Sequence, residues 1–405
     1  MISKKEQKDT LLTILSKAAI VLINFIIVIC IARFWGAEGK GYQAIFVANL
    51  GIIAIVTNIF TNSSISFFVR KVGASKLFAQ ACLWIFISSS CGVLVFYLID
   101  HNTYSIYLLI SSLLTGYLAF HNALYIGMQK IKYFNLITIL QPLFLLIFIF
   151  LLYKTKETTY FDYFYAHIFS LIVVILIAFF FTKKTVGEIK LQLDISAIKQ
   201  SFIYGFQNEL SNFFQFLSSR LSWYFIILYL SEASLGIFSI GVAISESIWH
   251  ISRSISMVQF SKIIKEGNTQ STRNGIITSS LLSFSFSLFC VIIIVLLPDS
   301  VFPHIFGAEF TGVKQIVLLL SPGTLFNSMA MVYGHYFAAV GRMKILVFKS
   351  VVGTILTSIL LVVLIPLWNI NGACITNSIV HFVNFAIITA CFFILKNKEE
   401  CVYKI

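Results

Sequence analysis

Charge is what this sequence has least of. Only 11% of its 405 residues are Asp, Glu, Lys or Arg, and just 16 are acidic. A soluble domain carries about 25% charged residues. Half that figure leaves too little polar surface to coat a globule in water. Proline is scarce too, at five residues. The seven cysteines (Cys30, Cys82, Cys91, Cys290, Cys374, Cys391, Cys401) have no CxxC spacing and no paired histidine. They read as small hydrophobes in helix packing, not as a metal site or disulfide framework. Long polar stretches are also missing: no interval between apolar runs exceeds about twenty residues, so no extramembrane domain is left to host chemistry.

What fills the chain is apolar: 59% of residues are hydrophobic and the mean hydropathy is +0.93. Lipid is then the solvent for most of it. Crossing about 30 Å of hydrocarbon takes roughly 20 apolar residues at 1.5 Å each. On that rule we mark about twelve spans, at 10–33, 42–68, 77–98, 104–127, 134–153, 160–182, 200–229, 233–258, 275–297, 313–340, 345–366 and 371–395. The first follows Lys4, Lys5 and Lys8, and its apolar run is too long for a signal-peptide core. It is expected to be an uncleaved first span.

The formal net charge of +13 resembles that of a nucleic-acid binder, but its lysines and arginines lie between apolar runs. That placement marks membrane orientation, and no nucleic-acid partner is expected. Alternate loops carry the basic residues: the N-terminus, Arg70-Lys71-Lys76, Lys130-Lys132, Lys183-Lys184-Lys190-Lys199, Lys262-Lys265-Arg273, Arg342-Lys344-Lys349 and Lys396-Lys398-Lys404. The intervening set is poor in them, with Lys40, Asp100, Lys154-Lys156, Glu232, Asp299 and Glu309. Both termini are expected in the cytoplasm.

The polar interval 183–199 separates six spans from six, which predicts an N-lobe (1–182), a cytoplasmic linker and a C-lobe (200–405). Gly127-Met-Gln-Lys-Ile-Lys-Tyr-Phe134 after span four resembles Gly341-Arg-Met-Lys-Ile-Leu-Val-Phe348 after span ten. The fold class expected is all-α integral membrane, with about twelve helices in two parallel six-helix lobes.

Ionisable groups inside a span are costly and by default face a bundle interior or a wet cavity. Span seven carries Asn208, Asn212, Gln215, Ser219 and Ser222 at helical spacing, with Glu209 and Arg220 beside them. On span eight Glu246, His250 and Arg253 fall at i, i+4 and i+7, on one face. Two adjacent polar stripes point to a hydrated cavity. The plain alternative is polar packing around an internal Glu–Arg pair. Arg220 and Arg253 are the expected contacts for an anionic ligand, because guanidinium stays charged and grips phosphate bidentately. Lys17 in span one is a third cation, with snorkelling as its plain explanation. Asn58, Thr61, Asn62 and Ser66 make a softer stripe on span two, which also suits ordinary helix–helix packing. His121, His167, His335 and His381 read as hydrogen-bonded packing residues, and no metal site is expected. Pro142 and Pro322 permit kinks in spans five and ten.

Ala32-Arg33-Phe34-Trp35-Gly36-Ala37-Glu38-Gly39-Lys40-Gly41-Tyr42 resembles the A-R-x-L-G-x-x-x-x-G-x-Y junction of polysaccharide-biosynthesis flippases, with Trp35 where Leu is usual. Phe306-Gly307-Ala308-Glu309-Phe310 is similar to their F-G-x-x-F/Y element, and the Gly341–Lys344 turn is similar to theirs. The family is that of the Wzx-type lipid-linked oligosaccharide flippases, within the multidrug/oligosaccharidyl-lipid/polysaccharide exporter (MOP) superfamily. The resemblance implies a MATE-like fold in a bacterial inner membrane. It also implies alternating access that carries an undecaprenyl-pyrophosphate-linked oligosaccharide to the periplasmic leaflet for O-antigen or capsule synthesis, in contact with membrane lipids and polysaccharide assembly machinery. No cofactor is implied; proton or sodium coupling through Glu246 or Glu209 stays open. Two rivals remain. A cation-coupled multidrug exporter would want acidic residues in the first lobe, where spans one to five have essentially none. A membrane glycan polymerase or acyltransferase would want Arg or His in sizeable outer loops, and these loops are short.

Overall fold

The computed structural model describes residues 4–100, 103–154, 159–187 and 195–402. Residues 188–194 of the expected linker, with Lys190, lie outside them, as do Lys156 and Lys404. Helix is the regular structure throughout: α1 (Lys4–Thr61), α2 (Ser63–Val72), α3 (Ala74–Asp100), α4 (Ser105–Gly127), α5 (Ile131–Tyr153), α6 (Phe161–Val186), α7 (Ile195–Tyr229), α8 (Glu232–Glu266), α9 (Gln270–Leu296), α10 (Val301–Phe306), a 3₁₀ turn at Ala308–Phe310, α11 (Val313–Ala339) and α12 (Met343–Val402). Lipid offers no partner to a free peptide group, and helices satisfy theirs internally.

Among the described residues nine helices are long and apolar enough to cross a membrane. α7 is not one of them, because its polar stripe and Arg220 dilute its apolar residues. Two of the nine hold a pair of spans each. At 58 residues, α1 would run about 87 Å if straight. It turns instead at Gly36 (φ 65, ψ −166), a backbone state that glycine takes without strain. α12 turns likewise at Asn369 (φ 52, ψ −133). The loops expected after spans one and eleven are therefore sharp kinks. The reverse holds for span two, whose helix breaks at Asn62 (φ −118, ψ −96) before α2 begins.

The chain divides into two compact units, Met1–Phe213 and Phe214–Ile405, with the division inside α7. In the first unit Ile65, Phe68, Leu77, Ile85, Phe120 and Leu124 pack α2, α3 and α4 together. The start of α7 belongs to this unit: Ser64 Oγ lies 2.8 Å from the Ser201 carbonyl oxygen, and Gln80 Nε2 donates to Ser201 Oγ at 3.3 Å. In the second, Ile263, Ile276, Tyr333, Tyr336, Phe337, Ile388 and Phe392 join α8, α9, α11 and α12. Leu22, Phe86, Leu176, Phe180 and Leu296 all stand exposed. By contrast, Ser252 and Ser256 of α8 and Ser280, Ser283 and Ser287 of α9 are buried. Apolar outside and small polar inside is the order lipid imposes, since small side chains let helices approach closely.

The repeated turn is the same turn in both units, shifted by two residues from its sequence match. After α4, Gln129 N–H donates to Ile126 O and Lys130 N–H to Tyr125 O. After α11, Gly341 N–H donates to Ala338 O and Arg342 N–H to Phe337 O. Each is the 6→1 and 5→2 pattern that closes a helix through a left-handed residue. That residue is Gly341 (φ 74) in one turn and Gln129 (φ 57) in the other. Gly341 thus corresponds to Gln129, not Gly127.

Pro322 does not end α11; side chains stitch the gap. Proline cannot donate to Leu318 O, and Ser321 Oγ donates to it at 2.7 Å. From α12, the Ser378 hydroxyl accepts from Gly323 N–H at 3.3 Å and donates to Leu319 O at 2.6 Å, entering the ladder. Ser378→Ala should cost about 1 kcal/mol, read as a lower thermal midpoint in detergent. An unchanged midpoint would show that the ladder closes without the hydroxyl.

Candidate functional site

In the second unit one ion pair links the end of α7 to α8. Arg220, near the end of α7, donates from both terminal nitrogens to Glu246 in the middle of α8. Nη1 to Oε1 is 2.7 Å and Nη2 to Oε2 is 3.1 Å. The guanidinium carbon also lies 4.4 Å from the ring centroid of Trp223. Trp223 is one turn along α7 from Arg220, so the cation is held by a carboxylate and an aromatic face. This planar, two-toothed grip occupies both carboxylate oxygens.

Glu246 borders a pocket of about 20 Å³, room for a water-sized guest. Ser219, Ser245, Trp249, Thr324, Asn377 and His381 line it with Val242 and Leu320. Trp249 Nε1 donates to Thr324 O at 3.1 Å, two residues past Pro322. The His381 ring meets Trp249 edge-on, with centroids 5.4 Å apart. A charged pair, an imidazole and an irregular stretch of α11 therefore converge in one place.

No family model matches the chain, and no curated protein matches it. Solved structures do. An inward-facing multidrug resistance MATE family transporter of the MOP superfamily aligns with a TM-score of 0.76 at 14% identity, covering 93% of this chain and 96% of its own. The MATE multidrug transporter DinF-BH aligns at 0.69 and 15% identity over 96% of this chain and 94% of its own. A MOP superfamily transporter from Pyrococcus furiosus, described as having a binding pocket of reverse polarity that suggests a different function, aligns at 0.58 and 14% over 95% of each. The fold is that of the MATE transporters of the MOP superfamily.

Within this MOP fold the expected site residues part company. Arg220 and Glu246 are brought together as the internal pair weighed from sequence. His250 and Arg253 continue the same face of α8 and are exposed. Asn212 and Gln215 are exposed on α7, and Asn212 Nδ2 donates to Glu209 Oε2 at 3.0 Å. Glu209 is buried, and its other oxygen has no partner among the described residues. Lys17 is exposed on α1. Asn62 is exposed at the break between α1 and α2, so the span-two stripe is not one continuous face. Of its other members, Thr61 and Ser66 hydroxyls donate to Thr57 O and Asn62 O one turn back.

Three of the four scattered histidines are hydrogen-bonded packing residues, as expected. His121 pairs with Thr182, His167 with Ser111, and His335 with the Met331 carbonyl. His381 departs from that pattern, because it lines the pocket beside Glu246. Asn377 was also missed, although Asn377, His381 and Asn384 stand at i, i+4 and i+7. That is the spacing that picked out Glu246, His250 and Arg253. Lys349, counted from sequence with the basic cytoplasmic turn although span eleven (345–366) includes it, lies about two turns inside α12.

Proposed function

We propose that this MOP-fold protein is a flippase that moves a lipid-linked oligosaccharide with an anionic pyrophosphate headgroup from the cytoplasmic leaflet to the outer one. One observation carries the reading: inside its membrane helices cations outnumber carboxylates. Between Asp9 and Glu157 only Glu38 and Asp100 are acidic. Along α7, α8 and the first arm of α12, Arg220, Arg253 and Lys349 stand against Glu209 and Glu246 in the span interiors. A transporter of cations wants the opposite balance. A pyrophosphate crossing hydrocarbon needs cations to replace its hydration. The Pyrococcus furiosus relative in fold, with its reversed pocket polarity, supports the idea that this architecture accommodates either sign.

The experiment is complementation of a bacterial host that lacks its own flippase for a matched repeat unit. The unmodified chain should restore surface glycan. Arg253→Ala should lower it at least tenfold at equal membrane abundance, since removing one charge-assisted contact costs about 1.5–3 kcal/mol. Efflux of a cationic dye without any glycan restoration would overturn the proposal in favour of the exporter.

A further inference from the structure

The two arms of α12 carry four polar side chains with nothing to bond. Among the described residues Lys349, Asn377, His381 and Asn384 make no hydrogen bond and no ion pair. Asn377 and Asn384 are only 9% and 8% exposed. Buried polar groups are almost always satisfied, so these two amides, with the half-buried Lys349 and His381 beside them on one helix pair, need an explanation.

Geometry places them on facing surfaces. Asn377, His381 and Asn384 share one face of the second arm by their spacing. On the first arm, Lys349 shares a face with Gly353, one turn on. Gly353 packs against Asn384 so closely that a Cβ there would lie 2.9 Å from both amide heteroatoms. His381 lines the same pocket as Glu246 and Asn377. Glu246, the carboxylate that shares a pocket with Asn377 and His381, already has both oxygens taken by Arg220. Among the described residues Lys349 has no ion pair, although it lies within a membrane helix.

We propose that Lys349, Asn377, His381 and Asn384 form an anion subsite that accepts phosphate oxygens. The ammonium brings three donors and a point charge, the imidazole one N–H, and each amide an NH₂ once oriented for it. Arg220, spent on Glu246, is the scaffold beside this subsite. The source of the anion, a lipid-linked pyrophosphate, rests on the flippase reading; the subsite itself does not.

The test titrates inorganic pyrophosphate into the purified full chain in phosphatidylcholine nanodiscs. Lys349→Met should weaken binding at least tenfold and raise the ligand-free melting temperature, because an unpaired charge has been removed. Lys262→Gln, a surface lysine paired with Glu266 at 3.9 Å, should bind like the unmodified chain. Binding by Lys349→Met equal to the unmodified chain overturns the subsite, and a lower melting temperature with it marks a structural lysine. Polyprenyl pyrophosphate in the disc should compete. Competition by phosphatidylglycerol alone overturns the assigned source. Glycan restoration that survives Lys349→Met removes the subsite and leaves the flippase. Pyrophosphate binding that depends on Lys349, with no glycan restored by any variant, does the opposite.

Discussion

Glu246→Ala is expected to lower the thermal midpoint of the detergent-purified protein far more than the double change Arg220→Ala with Glu246→Ala. The single change strands a guanidinium that is 20% exposed and keeps only the face of Trp223. Removing one partner of a buried pair costs about 3–5 kcal/mol, and removing both is often near neutral. With Glu246 33% exposed, solvent screening lowers the figure to about 2–3 kcal/mol. Glu246→Gln separates charge from shape, because it keeps the acceptor oxygen while discarding the negative charge, and it should fall between the two. The measurement is a double-variant cycle on melting, with translocation assayed beside it. A loss in the double change equal to the sum of the losses in Arg220→Ala and Glu246→Ala would mean that the two residues are not coupled.

How much of this was legible in the sequence depends on which physical quantity decides each feature. Membrane helices were legible because hydrocarbon thickness fixes a length, and runs near 20 apolar residues meet it. The chain's turns at Gly36 and Asn369 were not, because hydropathy reports which residues avoid water and is silent on single backbone dihedrals. The Gly127/Gly341 match failed for a related reason. The turn needs a left-handed residue, and Gln129 supplies it in the first unit where glycine does in the second. A search for glycine therefore slips by two.

The site divides in the same way. Arg220 and Glu246 were each legible as costly groups inside spans. Their bidentate bond was not, because it depends on the rotation of α7 against α8. Lys349 went astray at a helix boundary. It follows the basic Arg342-Lys344 turn closely enough to pass for loop, yet α12 already begins at Met343. For Asn377 and His381 the signal was present as a helical period. It went unread because amide and imidazole side chains are also ordinary packing residues, and only the absence of partners in three dimensions separates the two roles.

Gly205→Ala should be the most damaging single methyl in the first unit. The break at Asn62 bends the chain around the Ile59 carbonyl, whose oxygen accepts from Ser64 Oγ. α7 passes directly over this spot, and Gly205 is where its backbone comes closest. A Cβ there would overlap the Ile59 carbonyl oxygen, far inside contact distance, and would lie 2.7 Å from its carbon and 2.6 Å from Ser64 Oγ. Alanine favours a helix by about 1 kcal/mol over glycine, so propensity argues for the change and the clash against it. Overpacking a well-filled site costs about 1–3 kcal/mol, and more when the obstacle cannot rotate away. Here the obstacle is backbone at a helix break, so the net loss should be about 2 kcal/mol or more after propensity is credited. Gly312→Ala is the matched control, since nothing lies within 4 Å of the position its Cβ would take. It should stay within about 0.5 kcal/mol of the unmodified chain. Thermal midpoint and the monodisperse fraction on gel filtration read both. If Gly205→Ala melts with Gly312→Ala, α7 does not lie against the Ile59 carbonyl, and the first unit is packed differently at the point where its seventh helix begins.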